Sequence, residues 1–358
     1  MSTSSHLKEL QKLQTTQGAT FTSDDGRSIP MSFGPVEEAI AATETGVALY
    51  DRSHWGRIEV SDSDRLRFLH NQSTNDFMTL EPGQGCETVF VTSTARTLDL
   101  VTAYAQPDAV LLLTHPSCRE SLLKWMDRFI FFADKVNLTD QTEATIAFSL
   151  IGPRSLDLLA TLGVTLNSTL PHHHETVTID NADTLVAVGS GLAIPGLTVI
   201  ASVQQSTSLW RALTDAGAVP MGETTWENLR VHQGRPVPGA ELTDEYNPLE
   251  AGLWQTISFN KGCYIGQETI ARLDTYDGVK QQLWGIQLPE AVEPGTHLTV
   301  DDKKVGRLTS IVPTQAGYMG LGYVRRKAGG EGLTVQAGEV YGQVVDIPFV
   351  TRSRQDQA

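Results

Sequence analysis

Past Tyr276-Asp277-Gly278 the helical period disappears from this chain. Residues 283–287, 298–300, 306–312, 320–323 and 342–347 are short strand-like runs at turn spacing, with no helical signal between them. Such a tract has no helix to cover a sheet face, so it must close on itself as a small β-barrel or sandwich. An all-β module therefore begins at about residue 277, and everything before it needs a core of its own.

Upstream, strands and helices are mixed. Runs at 57–60, 88–91, 98–104, 109–114, 144–150, 185–188 and 198–201 read as strands. The clearest helix runs from about 119 to 132, where Leu122, Met126, Phe129 and Ile130 form a core-facing stripe. Another opens at Thr224-Thr225-Trp226-Glu227, which has capping-box spacing, and continues through His232 to a stop at Gly234 and Pro236. Residues 1–20 read as polar and frayed, with a weak helical pattern at Leu7, Leu10 and Leu13. The chain reads as α+β, divided into residues 20–142, 143–276 and 277–358, the last a β-barrel.

The formal charge is −15, which argues against general electrostatic binding to nucleic acid and predicts no direct nucleic-acid partner. Cys86, Cys118 and Cys263 are odd in number and far apart, so a reducing compartment is expected rather than a disulfide framework. With no CxxC pair, no self-contained metal site is expected. The first residues lack the charged and apolar regions of a secretory signal, and no apolar run approaches the ~18 residues of a spanning helix. A cytoplasmic protein with no membrane association is expected.

Reactive chemistry concentrates in Lys261-Gly262-Cys263-Tyr264-Ile265-Gly266-Gln267-Glu268, just before a short helix that includes Ala271-Arg272. A thiol at a helix N-terminus, next to unpaired N–H groups and a lysine, is favoured as the thiolate. The opposing reading is equally open on spacing alone: Cys263 as a small buried hydrophobe, with the glycines merely shaping a turn.

This octapeptide, with Ala271-Arg272 after it, resembles the signature of the YgfZ family, tetrahydrofolate-binding proteins related in fold to the T-protein (aminomethyltransferase) of the glycine cleavage system. Phe68-Leu69 through Gln72-Ser73-Thr74-Asn75-Asp76, the stretch Leu229-Arg230-Val231-His232-Gln233-Gly234, and Gly306-Arg307-Leu308-Thr309-Ser310 with Leu321-Gly322-Tyr323-Val324-Arg325 are similar to further segments of those proteins. The resemblance implies a three-domain T-protein-like ring closed by a C-terminal β-barrel, with tetrahydrofolate or a one-carbon derivative as cofactor. It implies an accessory role in assembly, maturation or repair of iron–sulfur enzymes, including tRNA-modifying ones, with client enzymes or assembly factors as partners. Cys263 and Lys261 are then the catalytic candidates. Asp99, His232, Tyr264, Gly266, Gln267, Glu268 and Arg272 are the folate-binding candidates, and Tyr264 either stacks on a pterin or packs the turn.

Departures from the T-protein bear on the reaction and on folate. That enzyme carries two adjacent aspartates after a glycine pair, where this chain has Ala95-Arg96 and a single Asp99 followed by Leu100. It also lacks a cysteine at the position of Cys263, so glycine cleavage is not the expected reaction. His232 replaces a glutamate, offering one acceptor instead of a bidentate pair. The alternatives are a folate-dependent one-carbon (aminomethyl, methyl or formyl) transferase using Asp99, and an interaction protein that docks through the octapeptide.

Overall fold

The computed structural model describes residues 3–24 and 27–354. The chain gathers into two compact units, each assembled from separate stretches: residues 1–65, 80–86 and 102–227 in one, and 66–79, 87–101 and 228–358 in the other.

The first unit is built on a six-stranded sheet in the order His174–Ile179, Ala182–Val188, Gly196–Ser202, Thr145–Ile151, Ala48–Asp51, Val219–Met221. Every pair is antiparallel except the last. Its central strand, Thr145–Ile151, is buried at six of seven positions, which requires cover on both faces. Ile146, Phe148 and Leu150 point to one face, where Leu10, Leu159, Leu209, Trp210 and Leu213 from three helices join them in a single apolar cluster.

Leu10 comes from a helix, Thr3–Thr16, where the sequence reads as frayed. Its polar composition belongs to an exposed face; Leu7 and Leu13 pack at the cluster's edge, and Gln14 Nε2 donates to Asp51 Oδ2 at 2.8 Å. The helix expected over 119–132 is also shorter than its stripe: it spans Arg119–Asp127, burying Leu122 and Met126. Asp134 takes the Phe131 N–H through Oδ2 at 2.8 Å, so the chain turns and leaves Phe131 and Phe132 exposed.

A five-stranded sheet runs in the order Gly85–Val91, Thr97–Ala105, Ala109–Thr114, Gly56–Ser61, Asn137–Asp140. In the second unit, Gln281–Leu288, Gly317–Arg325, Lys303–Thr314, His297–Val300, Thr334–Ala337 and Val340–Val345 close into a barrel in that order. Ile286, Leu298, Leu308, Val324, Val335 and Val344 fill it. A neighbouring cluster joins Val89, Val91 and Leu100 to Val231, Leu253, Leu283, Leu321 and Tyr323, so the barrel shares a core with the strand segment that carries Asp99.

Candidate functional site

The octapeptide lies in a long irregular connection between the helices Glu223–Gln233 and Gln267–Thr275, interrupted only by a 3-10 turn at Trp254–Thr256. Its position is set by the short helix Arg65–Gln72, whose last carbonyls have no partner within the helix. The motif, with Ser258 just before it, supplies partners to two of those carbonyls and to the three that follow the helix. Lys261 Nζ donates to the carbonyl of His70 and to those of Ser73 and Asn75 at 2.8 and 2.6 Å. Ile265 N–H donates to Asn71 O and Ser258 N–H to Thr74 O, each at 3.0 Å. An ammonium at a helix C-terminus also meets the negative end of the dipole. Lys261 is only 8% exposed, and its charge is compensated by this cage of carbonyls.

On the other side of the thiol, Tyr264 is 9% exposed and packs with Ala95, Leu249, Ile257, Ile270 and Val279. Lys261 Nζ lies 4.6 Å from the centre of its ring. Burial pushes the Tyr264 phenol far up from its ordinary value, so it stays protonated. The ring packs the turn. Gly262 and Cys263, between these anchors, are exposed. The thiol is thus displayed by a loop held down on both sides.

Gly266 is the third anchor. It is the N-cap of the helix Gln267–Thr275 and has φ +85°. A Cβ there would come within 2.9 Å of Thr92 O and of Val91 Cγ2. The close approach seats the motif on the turn that leads into Thr97–Ala105, the strand of Asp99. Because the helix starts at Gln267, Cys263 precedes the N-cap by three residues and lies outside the first turn. The expected position at the helix N-terminus is therefore corrected. The Gln267 amide oxygen accepts from Tyr264 N–H at 3.4 Å, closing the turn on itself. Glu268 and Arg272 are exposed on the helix.

Asp99 is 1% exposed, and its neighbour Leu100 lies in the same cluster as Val231, which precedes His232. His232 Nδ1 is 2.9 Å from Asn228 O. A carbonyl can only accept, so Nδ1 carries the proton and Nε2 is left as the acceptor. No direct contact joins Asp99 or His232 to the thiol among the described residues.

Sequence reasoning passes over His70 and Asp76. His70 Nδ1 lies 3.0 Å from Asp76 Oδ1. Its imidazole pKa is lowered from 6.5, first by burial and then by the Lys261 charge, with Asp76 acting in the opposite sense. Only the separation of six residues between them could draw attention, and six is not a helical repeat that places two side chains together.

The family model of the GCVT N-terminal domain matches residues 10–261. The chloroplastic putative transferase At1g60990 of Arabidopsis thaliana is 45% identical over 340 residues, 94% of this chain and 78% of the relative. An aminomethyltransferase of Rubrobacter xylanophilus is 28% identical over 95% of this chain and 92% of its own. The crystal structure of glycine cleavage system aminomethyltransferase T from Bartonella henselae superposes with a TM-score of 0.85, covering 97% of this chain and 98% of that one at 19% identity. The fold is T-protein-like, closed by the six-stranded barrel.

Proposed function

The chain belongs to the GCVT N-terminal domain family, and on that premise we propose a folate-binding accessory protein for the assembly, maturation or repair of iron–sulfur enzymes, acting through Cys263. The observation that carries this reading is the exposed thiol held between two buried anchors, Lys261 and Tyr264. A packing cysteine would be inside; this one is outside, while Lys261 and Tyr264 on either side are inside. A single thiolate is suited to transient ligation or exchange of sulfur or iron, with a partner supplying the remaining ligands. Lys261 serves as a positioning residue in this reading.

The donor set fits a pterin edge. Asp99 brings a buried carboxylate as acceptor, and His232, with Nδ1–H committed to Asn228 O, brings Nε2. Bound folate would supply carriage of a one-carbon unit. Asp99 and His232 would orient the ring, while Gly266 and Gln267 keep the motif in register with the strand of Asp99. Client enzymes or assembly factors are the proposed partners, including enzymes that modify tRNA. The likeness in the octapeptide favours the YgfZ branch of these proteins. The cytoplasm is the proposed compartment for this chain, with a plastid as the alternative raised by the Arabidopsis relative's description. No helix among the described residues is long and apolar enough to cross a membrane.

In cells lacking the protein, Cys263→Ala should fail to restore iron–sulfur enzyme activity while its circular dichroism matches the parent. Full restoration by that variant overturns the reading. The burial of Asp99 favours a second reading, a folate-dependent one-carbon transferase. It expects turnover with a methylene-, formyl- or methyl-tetrahydrofolate, lost in Asp99→Asn; an inert panel of donors and acceptors removes it.

A further inference from the structure

We propose that His70, oriented by Asp76, is the base that accepts the Cys263 proton, so that the motif acts as a nucleophile toward electrophilic sulfur such as that of a disulfide. This deepens the reading of Cys263 as the working residue and rests on it.

The Asp76 carboxylate is fixed by its own loop: Oδ1 accepts from Met78 N–H at 2.8 Å, and Asp76 N–H donates to Asn75 Oδ1 at 2.8 Å. An ionised carboxylate only accepts, so the proton of His70 sits on Nδ1 and the lone pair on Nε2. Nε2 makes no hydrogen bond among the described residues, although the whole residue is just 9% exposed. It is turned toward the motif: a Cβ on Gly262 would lie 3.6 Å from Nε2. Because residue 262 is glycine, it places no side chain of its own against that ring edge, next in the chain to the exposed Cys263. Cys263 follows Gly262 directly in the chain, and the contact between a base and the group it deprotonates is commonly long before a reactant arrives.

The charged groups facing the ring are Asp76 and Lys261. Burial and the ammonium keep the imidazole neutral near pH 7, and Asp76 holds its orientation and stabilises the imidazolium once it forms. The proton of Cys263 Sγ–H passes to Nε2, and the thiolate attacks one sulfur of R–S–S–R. A Cys263–S–S–R bond forms, the original S–S bond breaks, and the departing RS⁻ takes the proton from His70 as RSH. Cys263 is oxidised to a mixed disulfide and half of the reagent is reduced to thiol, so electrons balance.

The test uses the full chain and methyl methanethiosulfonate, a small uncharged electrophilic sulfur reagent, with the Cys263 product identified by mass spectrometry between about pH 4 and 9. The parent should show a step in rate well below the ordinary thiol value of about 8.5. His70→Asn should remove that step and slow the reaction at pH 7 by about tenfold or more. Asp76→Asn should shift the step, with Asp76→Glu restoring it. A parent profile with a single step at the ordinary thiol value, or one unchanged in His70→Asn and Asp76→Asn, overturns the proposal. Lys261 holds the backbone carbonyl of His70 and not its ring, so His70→Asn leaves that anchor in place. If His70→Asn nonetheless fails to fold, the two Asp76 variants decide between the same two outcomes. No folate or client is needed, so a loss of complementation in Cys263→Ala with a flat profile would retain the proposed function and reject the base.

Discussion

Lys261 shows how much a single side chain can carry when its partners are backbone. Lys261→Met keeps the length of the stem but leaves the carbonyls of His70, Ser73 and Asn75 without a donor. It should destabilise the fold by about 3 kcal/mol, read from the urea midpoint. Glu250 sets the opposite case. Burial raises its carboxyl pKa above 4.5, against the Asn247 N–H, Gln281 and the Arg96 and Lys280 charges. A folded-state value above the unfolded one gives stability that is complete below the unfolded pKa and lost as pH rises through the folded pKa. At neutral pH the ionised form is therefore a burden. Glu250→Gln, whose carbonyl still accepts from Asn247 N–H, should raise the melting temperature at pH 7, with the gain fading as pH falls toward 4.5. Residue chemistry of this kind is only partly legible in the sequence. Lys261 and Cys263 stand out by spacing, but the carbonyls that take the ammonium lie 186 to 191 residues away and have no side-chain signature.

Among the elements, the connection that ends in the helix Gln267–Thr275 is set by one backbone conformation. Gly266→Ala would force a left-handed φ of +85° on an L-residue and push a methyl into Thr92 O and Val91 Cγ2. The two effects together should cost about 2–4 kcal/mol, measured by guanidinium unfolding, and should loosen the seat of the thiol. The barrel strands are readable because period-two alternation and turn residues are local signals. Thr334–Ala337 escapes, being four residues between glycine-bearing turns. Thr3–Thr16 reads as frayed because a helix with one fully buried leucine carries little periodic signal; it is the helix bearing Leu209, Trp210 and Leu213 that holds it. Conversely, Phe129 and Ile130 extend a stripe that Asp134 cuts short by taking the Phe131 N–H.

At the scale of the whole molecule, the chain crosses between its two units at residues 65/66, 79/80, 86/87, 101/102 and 227/228. No pattern in the sequence marks those crossings, because four of them fall inside an ordinary strand or helix and the one at 79/80 in an ordinary turn. A chain ending at Glu227 would keep Val89, Val91 and Leu100 but lose Val231, Leu253, Leu283 and Leu321, on which they pack. It should aggregate or bind a hydrophobic dye, with size-exclusion chromatography as the check; a monodisperse, cooperatively melting fragment would contradict this. The same interleaving imposes a schedule on biosynthesis. Ser73 leaves the ribosome 188 residues before the lysine that binds its carbonyl. At ordinary elongation rates the end of that short helix waits roughly 10–40 s for its partner. For that interval the strand bearing Asp99 is also without the later residues of its core, so a nascent chain stalled in the stretch between is where a chaperone would find the most to hold.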